Sequence, residues 1–261
     1  MSADGMRRPS LQAERLAALA PTWQVEILAE TTSTNAVCAQ RARDGAPEGL
    51  VVTTEHQYAG RGRLDRVWEM PPRAALATSV LLRPTLPPER WTWLPLMAGV
   101  AVARTIEGRL KWPNDVLLGP ELKKVCGILV ERIETPAGPA AVLGIGINTS
   151  LTPDELPIPH ATSLQIERGE EVDRTGVLVT LLAEIADAYA LLVHDPEELS
   201  ADYLALSATV GMRVRAELPS GGALAGTASG IDPYGRLLIT QADGLTQAVG
   251  AGDIVHLRPL D

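Results

Sequence analysis

The hydrophobic pattern of this chain changes near residue 208, and this change constrains the fold more than any other feature. Before that point, helical periodicity alternates with short apolar runs typical of buried strands. After it, short alternating runs are separated by Pro-Ser-Gly-Gly, Asp-Pro-Tyr-Gly and Ala-Asp-Gly, which are turn signals. We therefore predict an α+β protein with an N-terminal extension (1–25), a large domain (26–207) and a small β-barrel domain (208–261).

Helices and strands are predicted from the same periodicity. A Ser33 or Thr34 cap and Gly45 delimit the first helix, and a single apolar face makes the last helix the clearest. The predicted helices cover residues 35–44, 93–107 and 175–192. The predicted strands of the large domain cover residues 49–54, 77–82, 127–132 and 140–147. Those of the barrel cover residues 213–218, 224–231, 237–240 and 247–257.

Composition excludes several classes of protein. The net charge of −9 argues against a general nucleic-acid binder, which usually presents a basic face. Cys38 and Cys126 are the only cysteines, so neither a disulfide framework nor a zinc site is expected. We find no signal peptide and no apolar run near the ~20 residues of a membrane span. A cytoplasmic protein without membrane contact is therefore expected.

The segment 58–63, Tyr-Ala-Gly-Arg-Gly-Arg, places two cations on a glycine-rich backbone. Each guanidinium can bind a carboxylate or a phosphate through two parallel hydrogen bonds. Gly62 removes a side chain between Arg61 and Arg63, so both cations can reach one anion. The segment predicts an anion-binding loop that is mobile without ligand, and we call it the arginine loop. A solvated basic turn would also explain the segment in isolation.

Four further motifs follow the same logic. Ser33-Thr34-Asn35 is a helix cap that can also present polar groups to a ligand. The segment 111–115, Lys-Trp-Pro-Asn-Asp, predicts a turn that brings its lysine, asparagine and aspartate to one spot. In the motif 123–131, Lys124 precedes the apolar run 127–130, and Lys123 is expected to point the other way. The run 144–148, Gly-Ile-Gly-Ile-Asn, lacks the third glycine of a dinucleotide fingerprint, and no P-loop is present.

In this order and at these intervals, the motifs resemble the catalytic core of biotin–protein ligases, from about residue 31 to the C-terminus. The resemblance implies a mixed-sheet catalytic domain of the biotin/lipoate ligase type with an SH3-like C-terminal barrel, in the short form lacking the DNA-binding domain. It implies a biotin–[acetyl-CoA-carboxylase] ligase, which forms biotinyl-5′-AMP from biotin and ATP. Biotin is then transferred to a lysine of a biotin carboxyl carrier protein.

The resemblance also assigns roles to individual residues. It assigns biotin binding to Ser33, Thr34, Asn35, Gln57, Arg61, Gly62, Arg63 and Lys124. It assigns nucleotide binding to Arg63, Arg66, Trp68, Lys111, Asn114 and Asn148. The catalytic set is Lys124, Arg61, Arg63, Lys111 and Asp115, with Mg²⁺ on the ATP phosphates and no metal site in the protein. Asp65 stands where the family usually has glycine, so closure of the arginine loop is expected to differ.

Two alternative functions stay open at this stage. A lipoate– or octanoate–protein ligase or transferase shares this kind of core, although the arginine loop and segment 111–115 follow the biotin pattern. A biotin-sensing transcriptional regulator would need a DNA-binding domain of roughly 60 residues, and only about 30 precede Thr31, so no DNA binding is expected. The C-terminal barrel is expected to aid acceptor docking or ATP-site closure. The expected oligomeric state is a monomer or a weak homodimer.

Overall fold

The computed structural model describes residues 8–63, 67–218 and 222–251, together with the backbone of 256–259. Its helices are α1 (Ala13–Ala17), α2 (Thr34–Arg43), α3 (Leu94–Ile106), α4 (Leu164–Arg168), α5 (Arg174–His194) and α6 (Pro196–Leu206). Its first strands are β1 (Gln24–Leu28), β2 (Leu50–Thr54), β3 (Gly60–Arg61), β4 (Val67–Trp68), β5 (Ala75–Leu82), β6 (Arg109–Lys111) and β7 (Asp115–Leu118). The remaining strands are β8 (Lys123–Thr135), β9 (Gly138–Asn148), β10 (Arg213–Glu217), β11 (Ala223–Ile231), β12 (Leu237–Thr240), β13 (Thr246–Val249) and β14 (His256–Pro259).

The chain divides into two compact units. The first contains Met1–Arg83 and Lys123–Thr180, and the second contains Pro84–Leu122 and Leu181–Asp261. Each unit is therefore built from two stretches that are distant in sequence.

A mixed sheet forms the centre of the first unit, with strand order β1-β2-β5-β9-β8. β1 and β2 are parallel, and the other pairs are antiparallel. Helix α2 packs on this sheet through small buried side chains, because the chain contains no Phe and fills its core with aliphatic residues and alanine. Cys38 and Ala42 of α2 lie in one cluster with Val52, Leu81 and Val142 of the strands. Burial of these side chains is the main stabilising term for this layer.

The second unit combines helices with two antiparallel β elements. β6 and β7 form a short hairpin, and the C-terminal strands form a five-stranded sheet with the order β13-β12-β11-β10-β14. Helix α3 contacts both α6 and the β6–β7 hairpin, and most of its side chains are buried. Arg104 of α3 forms ion pairs with Asp202 and Glu184, so the charge on this apolar helix is compensated.

Helix α5 is long and apolar enough to cross a membrane when only length and composition are considered. Its most apolar window has a mean hydropathy of 1.9, and 39% of that window is buried inside the structure. The sequence predicted this helix over 175–192 but not that its length and composition would be sufficient for a membrane span. Leu178, Leu182 and Ile185 lie on one face and are fully buried, which is the pattern of a helix that packs against a protein core.

The structure confirms the predicted helices and strands within a few residues at each end. One predicted strand, 247–257, is wrong as a single element, because β13 ends at Val249 and β14 begins at His256, with 252–255 outside the described residues. The sequence also failed to predict eight of the helices and strands named above. These are α1, α4, α6, β1, β3, β4, β6 and β7.

Candidate active site

Two rows of residues, all small except Leu129, cross β5, β9 and β8 in the first unit. Gly144 lies opposite Ser79 on one side and Leu129 on the other, and Gly146 lies opposite Ala77 and Gly127. Because the two rows are two residues apart on each strand, they belong to the same face of the sheet. Their lack of bulk lets other groups approach the backbone closely. We call the surface formed by Ala77, Ser79, Gly127, Gly144 and Gly146 the glycine floor.

The N-terminus of α2 lies over one end of the glycine floor. Asn35 is buried there, and a Cβ atom on Gly144 would be only 2.2 Å from its Oδ1. Ser33 caps the helix, accepting from the backbone N–H of Ala36 at 3.5 Å. The predicted cap is therefore present, and the residues of the cap motif lie against the sheet.

The orientation of Gln57 follows from its partner Thr34. The backbone N–H of Thr34 donates to Gln57 at 2.9 Å, and since an N–H can only donate, the atom facing it must be Oε1. The amide nitrogen Nε2 consequently faces Gly60, where an added Cβ would be 2.1 Å away. The first glycine of the arginine loop is thus required by the side chain of Gln57. The result is a fixed hydrogen-bond donor at the start of the loop.

Hydrogen bonds continue from Thr34 across the floor. Ser79 Oγ lies 2.8 Å from Thr34 Oγ1 and 2.6 Å from Asn35 Oδ1. Asn35 Nδ2 donates to Glu131 Oε2 at 2.7 Å and to the carbonyl of Leu129 at 3.3 Å. Both amide hydrogens of Asn35 therefore have acceptors within the protein. We call Gln57, Thr34, Ser79, Asn35 and Glu131 the polar network.

The arginine loop meets the polar network through Arg61. Its Nη2 lies 3.6 Å from Glu131 Oε1, and the Arg61 side chain is 55% exposed. An ion pair of this length and exposure is weak, so the guanidinium can be redirected to another anion at little cost. Arg63 and Gly62 are half-buried, whereas Asp65 and Arg66 lie outside the described residues.

Trp68 covers the other end of the glycine floor. Gly60 of β3 pairs with Trp68 of β4, and the indole lies against Gly146, where a Cβ would be 2.8 Å from Cε2. Lys124 Nζ lies 5.8 Å from the Trp68 ring centroid, within the range of a cation–π contact. The indole nitrogen of Trp68 is buried and has no hydrogen-bond acceptor among the residues that the structure describes.

Lys124 and Asn148 are linked through a neighbouring loop. The N–H of Lys124 donates to the His160 carbonyl and its carbonyl accepts from Thr162 N–H, each at 2.8 Å. Asn148 is buried, and its Nδ2 donates to the carbonyl of Thr162 at 2.9 Å. The amide nitrogen of Asn148 therefore holds the loop that fixes the backbone of Lys124.

The motif at 111–115 forms the β6–β7 hairpin of the second unit. Lys111 and Asp115 are cross-strand partners, and residues 112–114 form the turn between them. The structure confirms the predicted turn and places Lys111 opposite Asp115, while the convergence of their side chains with that of Asn114 stays a prediction. Trp112 is 1% exposed, while Lys111, Asn114 and Asp115 are half-buried.

Comparison with known proteins identifies the family. The biotin/lipoate A/B protein ligase family model matches residues 27–148, and the biotin protein ligase C-terminal domain model matches residues 209–257. A biotin–[acetyl-CoA-carboxylase] ligase of Mycobacterium tuberculosis is 42% identical over 246 residues, which are 90% of each chain. The chain belongs to the biotin protein ligase family. The bifunctional ligase/repressor BirA of Bacillus subtilis is 35% identical over 84% of this chain and 70% of its own length.

Solved structures support the same family. A biotin protein ligase from Aquifex aeolicus in complex with biotin and ATP superposes with a TM-score of 0.75 at 28% identity. The match covers 91% of this chain and 99% of that one. The Leishmania major ligase in complex with biotinyl-5-AMP gives a TM-score of 0.59 at 23% identity, which supports the fold alone.

Two members of the polar network were not selected from the sequence. Glu131 ends the strand motif that begins at Lys123, but nothing local indicates that it reaches Asn35, 96 positions earlier. Ser79 lies in a predicted strand, and only its register opposite Gly144 places it in the glycine floor. Either residue could be found only from the strand order and register of the sheet.

Proposed function

We propose that this protein is a cytoplasmic ligase that activates biotin with ATP and attaches it to a carrier protein. An oxygen of the biotin carboxylate attacks the α-phosphorus of ATP, the bond to the bridging oxygen breaks, and pyrophosphate leaves. The product is biotinyl-5′-AMP. The amine of a lysine on a biotin carboxyl carrier protein then attacks the acyl carbon, AMP leaves, and the amine gives up a proton.

The observation that carries this proposal is the polar network beside the glycine floor. Biotin has a polar ureido ring at one end and an apolar chain at the other, so its site needs few polar groups and a smooth wall. Thr34, Asn35 and Gln57 supply hydrogen-bonding groups at one end, where Gln57 Nε2 is a fixed donor suited to the ureido oxygen. Gly127 and Gly146 supply the wall. Ser33 completes the set that we assign to the ureido end.

The cations of the first unit are assigned to the activation step. Arg61, Arg63 and Lys124 would bind the biotin carboxylate and the α-phosphate, where negative charge is concentrated in the transition state. Phosphoryl transfer of this kind is accelerated mainly by positioning and by preorganised charge. The weak Arg61–Glu131 pair supports this role, since it leaves the guanidinium available for a stronger anionic partner.

Nucleotide binding is assigned to Trp68, Asn148, Lys111, Asn114 and Arg66. Trp68 would stack on adenine once the arginine loop has closed, and a ligand oxygen would satisfy its buried indole N–H. Asn148 would read the adenine edge through the part of its amide that does not hold Thr162. Lys111 and Asn114 would contact the phosphates. Arg66 is assigned by resemblance alone.

Magnesium is expected to arrive with ATP as part of the substrate. No cluster of three or more histidine, cysteine, aspartate or glutamate side chains occurs within the described ranges. Mg²⁺ commonly binds through substrate phosphates, one or two carboxylates and water, so a complete protein cage is unnecessary. Asp115 is the carboxylate we would place nearest the reaction, where it would also orient the acceptor lysine.

A direct assay tests the proposal. Purified protein is mixed with ATP, Mg²⁺, biotin and a biotinyl carrier domain, and the carrier mass is followed by mass spectrometry. Biotinylation should depend on both biotin and ATP, with pyrophosphate and AMP as co-products. Lipoate is offered in parallel, because the family model spans biotin and lipoate ligases. Preferential transfer of lipoate would replace the proposal by the lipoate alternative.

Repressor activity is not extended to this chain from its Bacillus relative. The net charge of −9 disfavours general DNA binding, which usually requires a basic face. A gel-shift assay with biotin and ATP present would reveal DNA binding, and sedimentation under the same conditions would distinguish a monomer from a weak homodimer.

A further inference from the structure

The turn between β11 and β12 in the second unit is unusually well fixed. Asp232 Oδ1 accepts from the backbone N–H groups of Tyr234 and Arg236, each at 2.9 Å, while Oδ2 accepts from Arg236 Nε at 2.7 Å. The Asp232 carbonyl accepts from Gly235 N–H at 2.9 Å. Gly235 has a φ of +72°, which glycine tolerates best. We call residues 232–236 the carbonyl turn.

Three consecutive carbonyls of this turn accept hydrogen bonds from side chains elsewhere in the unit. The Pro233 carbonyl accepts from Trp93 Nε1 at 2.9 Å, and the Tyr234 carbonyl accepts from Thr92 Oγ1 at 2.6 Å. The Gly235 carbonyl accepts from Trp112 Nε1 at 3.1 Å. The hydrogen bond to the Gly235 carbonyl is buried, where a carbonyl needs a partner, and the three donors together fix where the turn lies within the unit.

Trp112 connects the carbonyl turn to the β6–β7 hairpin. It is the first residue of the hairpin turn, between Lys111 and Asn114, and it is 1% exposed. Its backbone N–H donates to Thr209 Oγ1 at 3.0 Å, and the neighbouring Leu110 carbonyl accepts from Ala208 N–H at 2.8 Å. The hairpin is therefore held along its strand by residues 208–209 and at its turn by Gly235.

We propose that Trp112 is a positioning residue for the ATP-dependent step, and that the carbonyl turn holds Lys111, Asn114 and Asp115 in place through it. This inference rests on the proposed function, which assigns those three side chains to ATP and the reaction centre. A three-residue turn between short strands has little stability of its own. The C-terminal sheet thus contributes to activation of biotin without supplying a group that touches ATP.

A matched pair of tryptophan variants tests the inference. Trp112→Phe removes the indole N–H from the hairpin, whereas Trp91→Phe removes a similar indole hydrogen bond to the Leu86 carbonyl, 3.1 Å long. Biotinyl-AMP formation is measured against ATP concentration, and biotin binding is measured separately without ATP. We expect Trp112→Phe to lower kcat/KM for ATP about tenfold relative to Trp91→Phe, equivalent to about 1.4 kcal/mol. The Kd for biotin should be the same in both variants.

Equal ATP kinetics in the two variants would overturn the inference, as would an equal loss of biotin affinity and ATP use in Trp112→Phe.

If circular dichroism shows that Trp112→Phe does not fold, Asp232→Asn is tested instead. An asparagine cannot accept at both ends of its side chain, so it weakens the carbonyl turn without touching the hairpin. A selective loss of ATP use in this variant supports the inference, and unchanged ATP kinetics contradicts it. Failure of the wild-type protein to form biotinyl-AMP would instead refute the proposed function.

Discussion

Asn35 of α2 and Glu131 of β8 are joined by a hydrogen bond of 2.7 Å from Nδ2 to Oε2. The bond ties the first turn of a helix to a strand of the sheet on which it packs. Because Oδ1 of Asn35 is also close to Ser79, the amide can adopt only one orientation. Glu131 thus helps to fix the orientation of the Asn35 amide.

Replacing Glu131 should therefore weaken biotin binding. In Glu131→Ala, Asn35 Nδ2 loses its shortest acceptor, and an unsatisfied buried donor costs about 1–3 kcal/mol. We expect the Kd for biotin to rise about tenfold or more, measured by calorimetry without ATP. Glu134→Ala is the control, since Glu134 lies on the same strand with its side chain 72% exposed. Equal Kd values in the two variants would show that Glu131 does not position the site.

Removal of the Lys124 ammonium should affect activation more than biotin binding. Lys124→Ala deletes a preorganised cation beside Trp68, and loss of one such group costs on the order of 3 kcal/mol in the transition state. We expect biotinyl-AMP formation in a single-turnover assay to slow by about 100-fold. Lys123→Ala is the matched control one residue earlier. A normal rate in Lys124→Ala with a slow rate in the control would exchange the roles of the two lysines.

The contact between Gly146 and Trp68 predicts a steric effect. A methyl group at Gly146 would lie 2.8 Å from Trp68 Cε2, so Gly146→Ala must displace the indole. Overpacking of this kind costs about 1–3 kcal/mol. Biotinyl-AMP should dissociate about tenfold faster, as followed by rapid dilution of the labelled complex. Gly230→Ala serves as the control, because its Cβ would meet its nearest atom at 3.8 Å.

Ligand should protect the arginine loop against trypsin. Arg61 is more than half exposed and Arg63 is half-buried, and biotin with ATP is proposed to bind both side chains. At ligand concentrations near 100 times Kd, cleavage after these residues should slow by about 100-fold if only the open loop is cut. Mass spectrometry identifies the cleaved bonds. Identical cleavage with and without both ligands would mean that the loop does not close over them.

Local patterns predicted the parts of the fold that carry their own periodicity. Helix α5 was predicted because its apolar residues lie on one face, and α2 because a cap at Ser33 or Thr34 and Gly45 mark its ends. β6 and β7 have only three and four residues. Leu110 of β6 pairs with Ser207, and Trp112 of the turn bonds Thr209, each almost 100 positions away. No short-range pattern can encode such pairing.

The candidate site shows the same division between local and distant information. Arg61, Lys124 and Lys111 were selected because their motifs, in this order and at these intervals, resemble those of biotin–protein ligases. The contacts that hold those motifs join residues 96 or 123 positions apart, as for Asn35 with Glu131 and Trp112 with Gly235. In the sequence alone, nothing distinguishes Glu131 and Gly235 from the other glutamates and glycines of the chain. Only the folded chain distinguishes them.

Acid should weaken the attachment of the N-terminal segment through Glu155. The Arg8 guanidinium donates to Glu155, and this hydrogen bond, with one from Thr152 N–H, lowers the pKa of the Glu155 carboxyl despite partial burial. A depressed pKa in the folded state adds stability above the ordinary glutamate value of about 4.3, and that stability is lost as the pH falls through the lowered pKa.

Glu155→Gln isolates this contribution. Glutamine does not ionise, so the difference in unfolding free energy between wild type and variant should be largest near neutral pH and shrink below about pH 4. Urea unfolding at a series of pH values measures the difference. Arg8→Gln provides a second test, because removal of the guanidinium returns Glu155 towards its ordinary pKa and should flatten the same part of the pH profile. A wild-type-minus-Glu155→Gln difference that stays constant from pH 7 to pH 3 would exclude ionised Glu155 as the stabilising partner of Arg8.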